Sequence, residues 1–314
     1  METPYSVPIL LVIFNRPDTT SKVFKAIRQR KPKYLYIAAD GPRAEKAEEF
    51  EKCQEARSIV LNGVDWDCDI KTFFREFNIG CGLNVSEAIT WFFNHTEEGI
   101  ILEDDCLPNA SFFDFCQSLL ERYRHDERVS AISGNNFQTH QPMNLEADYY
   151  YSIFPSSWGW ATWRRSWHDY NLFIEDWDNI QKKEFLTFVF KEKSYQFWWK
   201  NQFEYFFSQR PTDTWDFQFH FQTMRRKQLA VIPKANLISN IGHGPDGTHF
   251  HNPDSYFAKM PTYELTFPLK HPKSITRNYE ADVFVQSLLF GEVEVPGIYK
   301  EMKRAIKKLI KYKV

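Results

Sequence analysis

The first half of the chain alternates short apolar runs with amphipathic stretches. Residues 7–14 are apolar almost throughout, the pattern of a strand buried on both faces. Asn15-Arg16-Pro17-Asp18 ends that run, and Asp18 or Thr19 is expected to cap a helix with Val23, Phe24 and Ile27 on one side. Tyr34–Ala39 reads as a second strand, stopped by Asp40-Gly41-Pro42. An exposed helix rich in Glu and Lys is predicted over 44–61, a third strand over 70–74, and a helix over 84–93 with Val85, Ala88, Ile89 and Phe92 on one face. Residues 99–102 form a short fourth strand candidate that runs straight into Glu103-Asp104-Asp105. A helix over 111–123 and a strand over Val129–Ser133 follow.

Strands alternating with helices predict an α/β fold: a Rossmann-like, three-layer α/β/α sandwich with a mainly parallel central sheet. Ligands of such sheets sit outside the carboxyl ends of the strands. The first, second and fourth strand candidates end in Asn15-Arg16, Asp40-Gly41 and Glu103-Asp104-Asp105, so three polar loops are expected to meet at one crevice.

Beyond residue 149 the texture becomes densely aromatic. Tyr149-Tyr150-Tyr151 leads to Trp158-Gly159-Trp160-Ala161-Thr162-Trp163, then to a predicted helical stretch over 182–209, a capped segment at Trp215-Asp216 and a strand over 229–232. Three Gly and one Pro within residues 242–249 require an irregular loop. No repeat or low-complexity linker divides the chain. At roughly 100–200 residues per domain, its 314 residues are read as a catalytic domain over 1–250 and an extension over 251–314. The domain comprises a nucleotide-binding half to about residue 110 and an acceptor half over 111–250.

Composition sharpens the picture in three places. Aromatic residues reach 17% of the chain, more than a core needs, which suits a protein that grips the flat C–H faces of sugar rings. The net charge of −2 provides no basic field for nucleic acid. It is uneven, however: residues 298–314 carry net +6, leaving −8 elsewhere. Apolar residues at 298, 302, 305, 306, 309 and 310 place that charge opposite one helical face. Such a basic amphipathic helix suits an anionic membrane surface, or equally packs on its own domain. The five cysteines form no C-x-x-C pair and are expected as free thiols of a cytoplasmic protein, peripheral on the inner face of the membrane. No signal peptide or membrane span is legible.

The chemistry concentrates at Glu103-Asp104-Asp105. Three adjacent carboxylates at a strand end repel one another, and a divalent cation with oxygen ligands relieves that repulsion. Mg²⁺ or Mn²⁺ typically takes one or two carboxylates there, with substrate phosphates completing the shell. A solvated acidic turn before the next helix is the plainer alternative.

Taken together, these features resemble a GT-A-fold glycosyltransferase, and specifically the N-acetylglucosaminyltransferase I family. The resemblance is carried in order by Asn15-Arg16, Ala39-Asp40-Gly41, Ile101-Leu102-Glu103-Asp104-Asp105, Phe112-Phe113-Asp114-Phe115, Phe154-Pro155 with Gly159-Trp160, Trp215-Asp216, and Gly242-His243-Gly244. It implies that Asp105 is the protein ligand to Mn²⁺ (or Mg²⁺) and that Asp104 lies by the ribose. Glu103 would face the donor sugar, Asp40 would contact uracil, and Arg16 would lie near the nucleotide. Asp216 matches the family's base, which takes a proton from the acceptor hydroxyl in an inverting displacement. His243 would contact the diphosphate or metal, and one of Trp158 and Trp160, with Trp160 the choice, would line the sugar site. The implied partners are a UDP-sugar donor and a glycan or lipid-linked glycan acceptor, as in surface polysaccharide or glycoconjugate assembly.

Three positions depart from the family. Phe217 stands where the family repeats the acid, Gly242 replaces a Ser, and Ala88 is nearest in register to a family His. The donor is therefore left as a hexose or N-acetylhexosamine. Two other classes compete. A sugar-phosphate nucleotidyltransferase normally has a Gly-rich loop after its first strand, and Asn15-Arg16-Pro17-Asp18 has no Gly. A non-catalytic carbohydrate-binding protein explains the aromatics but leaves the acidic triplet idle. A P-loop NTPase is excluded, since G-x-x-x-x-G-K-[ST] does not occur.

Overall fold

A computed structural model describes residues 5–138, 142–243 and 256–290. The elements run β1 (Ile9–Ile13), α1 (Pro17–Arg30), β2 (Tyr34–Ala39), α2 (Glu48–Gly63), β3 (Asp69–Phe74), α3 (Cys81–His95) and β4 (Glu98–Glu103). Then come β5 (Cys106–Pro108), α4 (Ala110–Tyr123), β6 (Val129–Ser133), β7 (Tyr149–Ser152), β8 (Trp160–Trp163) and a single turn, α5 (Arg164–Trp167). The remainder comprises a 3-10 turn (Glu175–Asn179), α6 (Lys182–Val189), α7 (Lys193–Gln209), α8 (Asp216–Arg225), β9 (Leu229–Pro233), β10 (Ile238–Asn240) and α9 (Tyr279–Leu289).

Eight strands form one sheet in the order β3-β2-β1-β4-β8-β6-β9-β7, and β10 pairs with β5 in a small second one. β3, β2, β1 and β4 are mutually parallel, β6 is parallel to β9, and only β8 and β7 run against the rest. The sheet is thus mainly parallel, as its sequence pattern predicts. Alternate residues of β1 and β2 face opposite layers. Ile9, Leu11, Ile13, Leu35 and Ile37 pack with α1, α2 and α4, while Leu10, Val12, Tyr36 and Ala38 pack with α3 and α8. Both layers exclude water, which makes the three-layer sandwich the stable solution for strands this uniformly apolar.

Several boundaries shift for identifiable reasons. α1 begins at Pro17, ahead of the expected cap, because proline suits the first helical turn; Thr19 and Thr20 donate to the Arg16 carbonyl oxygen instead of capping from outside. The helix expected over 182–209 breaks at Phe190, which turns extended and stacks its ring on Trp199 at 5.8 Å. Burying that ring contributes more than continuing the helix through it. All five cysteines are free.

The segment read as an extension is built into the sandwich between 256 and 290. Leu265 and Leu269 join the layer of α1 and α4. Arg277 bridges to Tyr151 of β7, and the Asp282 carboxylate accepts from the Ser152 hydroxyl at 2.5 Å, the Ile153 amide and Arg277. The basic stretch over 298–314 lies outside the described residues. Among the described helices none is long and apolar enough to cross a membrane.

Candidate functional site

The carboxyl ends of β1, β2, β4 and β6 open on a single cavity of about 1320 Å³. Reversal of β8 delivers its preceding loop, with Trp158, to the same rim. Arg16, Asp40, Glu103, Asp104, Asp105, Asp216 and His243 all line this cavity, so the structure gathers seven of the eight expected site residues.

The acidic triplet is organised by Arg16. Its Nη2 lies 2.5 Å from Asp104 Oδ1 and its Nη1 lies 2.9 Å from Asp105 Oδ2. The Phe14 amide donates to the second Asp104 oxygen at 3.1 Å, so this carboxylate, only 2% exposed, is fully held. Burial works against the guanidinium charge, but Asp104 and Asp105 outweigh it and hold Arg16 protonated. One cation faces three carboxylates. Glu103 consequently has its pKa pushed up, first by its buried surroundings and then by Asp105 and Asp104. Asp105 and Glu103 are both partly exposed and line the cavity, and among the described residues Asp105 Oδ1 meets the Cys106 thiol at 3.4 Å.

Gly242 closes over this ion pair. A Cβ there would lie 2.2 Å from Asp105 Oδ2 and 2.7 Å from Arg16 Nη1. The glycine is required by contact, which accounts for the absence of the hydroxyl residue expected from the resemblance. Gly242→Ala is expected to destabilise the protein by about 1–3 kcal/mol, as overpacking does; urea denaturation checks this, and an unchanged midpoint would mean that the loop gives way freely.

Asp216 opens α8 beside the triplet. The Gly82 amide donates to the Thr212 carbonyl at 3.0 Å, and any side chain at Gly82 would meet the Thr212 and Thr214 carbonyls at 2.6 Å. This close approach pins the loop before α8 against the start of α3. Asp216 Oδ1 accepts from the Thr214 hydroxyl at 2.6 Å and from the Phe217 amide at 3.0 Å, which orients the carboxylate toward the cavity.

Two expectations change. Trp160 is 1% exposed and does not line the cavity; it stacks under Trp215 at 5.6 Å, within the apolar layer of α3 and α8. Its alternation along β8 turns it inward, and its effect on the site is to support the residue preceding Asp216. Trp158 is the tryptophan at the rim, edge-on to Phe137 at 5.1 Å and to His243 at 5.9 Å. Asp40 reaches the cavity wall, yet its oxygens accept from the Gly41, Ile79 and Gly80 amides and from Asn78 at 2.9–3.2 Å. With four bonds to its own chain it organises the turn after β3, leaving no free lone pair for a base contact.

Sequence reasoning missed the walls supplied by Asn135, Phe257 and the end of α9. Asn135 follows β6 at the same sheet edge as the triplet, and that position was the one available signal. Among the described residues no three His, Cys, Asp or Glu side chains converge as a chelating group. A divalent cation here would rest on Asp105 and on oxygens brought by a ligand, an arrangement that Mg²⁺ and Mn²⁺ commonly adopt. The surplus of carboxylates over cations, with Glu103 and Asp105 both partly exposed to the cavity, fits that group.

No family profile matches the sequence, and no curated protein does. Among solved structures, mouse xyloside xylosyltransferase 1 is similar over 72% of this chain and 84% of its own, at 11% identity and a TM-score of 0.35. HddC from Yersinia pseudotuberculosis is similar over 51% and 79%, at 8% identity and a TM-score of 0.33. The 4-diphosphocytidyl-2C-methyl-D-erythritol synthase of Anaerococcus prevotii is similar over 51% and 72%, at 9% identity and a TM-score of 0.31. Likeness at this level carries no functional argument.

Proposed function

We propose that the protein is a metal-dependent, inverting glycosyltransferase that moves a hexose or N-acetylhexosamine from a UDP-sugar to a hydroxyl of a glycan. The observation that supports it best is the pairing, across one cavity at the strand ends, of an incompletely neutralised acidic triplet with a separate oriented carboxylate, Asp216. The first suits a diphosphate bound through a cation and the second suits a proton acceptor.

In this reading Asp105 would hold Mn²⁺ or Mg²⁺, which would supply positive charge to the departing diphosphate. Arg16 keeps Asp104 and Asp105 in place, and Asp104, buried and doubly held, fixes the shape of the floor beside the nucleotide. Asp216 accepts the acceptor's proton as that oxygen forms its bond to the anomeric carbon. The bond from that carbon to the diphosphate oxygen breaks, and its electron pair leaves with UDP. Attack opposite the leaving group inverts the anomeric centre. A nucleotidyltransferase reading has less support, since α1 starts at Pro17 with no glycine loop after β1 to receive a triphosphate.

Calorimetric titration of UDP and a panel of UDP-sugars, with and without Mn²⁺, tests the reading on the full chain. Manganese-dependent UDP binding together with turnover of one sugar is expected. Binding without any transfer to a glycan would favour the carbohydrate-binding class, and absence of nucleotide binding would overturn the proposal.

A further inference from the structure

The main sheet has two edges, and the chain treats them differently. Along β7, Arg277 bridges to Tyr151 and the Asn278 amide donates to the Tyr151 carbonyl at 2.8 Å, so that edge is covered. β3 lies at the other edge, and among the described residues no strand pairs beyond it. It spans Asp69–Phe74, as long as any strand of the sheet, and its register with β2 runs from Tyr34 opposite Asp69 to Ala39 opposite Phe74 without a bulge. Neither proline nor glycine interrupts it. Natural edges are usually shortened, bulged, broken by proline or covered, because a row of unpaired N–H and C=O groups templates another strand.

The free row can be assigned residue by residue. The Asp69 amide donates to the Lys33 carbonyl at 2.8 Å and the Arg75 amide to the Ala39 carbonyl at 2.9 Å, so the odd-numbered residues address β2 and Arg75 continues the ladder. Successive residues of a strand point their backbone groups to opposite sides, which leaves Ile70, Thr72 and Phe74 with N–H and C=O directed outward. Thr72 is exposed, and Ile70 and Phe74 are half-buried. The odd side chains lie on the α3 face. Phe73 stacks on Trp91 at 5.3 Å, and Arg75 lies over Phe73 at 4.5 Å with Glu87 as its ion pair.

We propose that β3 pairs antiparallel with β3 of a second copy of this chain about a twofold axis, joining the two main sheets into one. A single register pairs every outward residue with another of them. In it Thr72 of one protomer faces Thr72 of its partner on the axis, and Ile70 faces Phe74, each pair exchanging both of its N–H···O bonds. The same register sets Asp69, which is exposed, directly opposite Arg75 on both sides of the axis. The registers flanking it are penalised by like charges, since one sets Lys71 against Lys71 and the other sets Lys71 against Arg75. This edge is therefore self-complementary in charge in the alignment that satisfies its backbone and self-repelling in the neighbouring ones, which is the reason for choosing a second copy over an unrelated strand. The inference is independent of the transferase reading.

Sedimentation velocity and hydrogen exchange on the full chain test it. Wild type is expected to shift toward twice the chain mass as its concentration rises through the micromolar range, with the amides of residues 69–75 gaining protection in step. Thr72→Pro removes an outward N–H and no bond to β2, so it should weaken self-association by more than about tenfold while the urea midpoint stays near that of wild type. Asp69→Arg and Arg75→Glu should each weaken it roughly tenfold, because each sets like charges opposite on both sides of the axis. Mixing those two variants, or combining both changes in one chain, should restore the dimer, since opposite charges meet again. A chain that stays monomeric, a dimer indifferent to these substitutions, or a charge reversal that mixing does not rescue overturns the inference. Protection of residues 69–75 already present in the dilute monomer would overturn it equally, by showing that the chain covers this edge itself.

Discussion

Asp216→Asn is expected to lower the turnover of sugar transfer by about 10²–10⁴-fold, the contribution of a positioned general base, while UDP affinity stays within about twofold. Asparagine keeps an oxygen that accepts from the Thr214 hydroxyl and the Phe217 amide, so the start of α8 retains its bonds. Only the capacity to take a proton disappears. Steady-state kinetics separates the two effects, because a lost base lowers kcat and leaves donor KM in place. A variant with near wild-type turnover would show that Asp216 only caps α8, and the proton would then need another destination.

Asp105→Ala carries the second large effect, and it falls on binding. In wild type Asp105 is partly exposed to the cavity and paired with Arg16, and in the variant Arg16 keeps its ion pair with Asp104. Manganese-linked UDP affinity is expected to fall by more than about 100-fold, since losses of 10–100-fold already follow when a residue merely supporting a metal ligand is removed. Folding should survive, because a surplus negative charge is removed and Asp104 keeps both its donors. Calorimetry with UDP, at several Mn²⁺ concentrations, reads the result directly. Equal UDP affinity in the two proteins, with the same response to Mn²⁺, would take Asp105 out of the metal's binding altogether.

The contrast between these two variants reflects how the site is assembled. Asp105 sits at the end of a strand whose register is fixed on both sides, by β1 and by β8. Asp216 sits at a helix start held by a glycine contact and two short-range bonds. The former was legible from the sequence because a buried apolar run leaves only one direction for the next residues to go. The same logic placed Arg16 and Asp40 at the crevice, since each directly follows, or nearly follows, a strand.

What the sequence withheld has equally definite causes. Trp158 and Trp160 differ by two residues, and only the reversal of β8, a long-range pairing, decides which is buried. Asp40 in a turn motif reads identically whether its oxygens are free or taken; the Ile79 and Gly80 amides that take them lie about forty residues away. The wall at the end of α9 was hidden most completely. Val285, Leu288 and Phe290 carry helical periodicity that fits any packed helix, and nothing local says that their face is shared with a cavity built by β7 and α8. The break between α6 and α7 depends on Trp199 lying where Phe190 can stack.

The order in which the chain is made has a consequence for when the protein becomes competent. Every strand of the main sheet is complete by Pro233, whereas Phe257 and the end of α9 come later in the chain. Domains fold as they leave the ribosome, at about 5–20 residues per second, so the sandwich can assemble while its last wall is still within the exit tunnel. During that interval the nascent protein has its carboxylates, its floor, Phe154 and Phe217, and still lacks Val285, Leu288 and Phe290. Premature stops after β10 would therefore remove the last wall of the pocket together with core residues of the sandwich, Leu265, Leu269, Ala281 and Val283, so that recognition and folding would be lost by the same event.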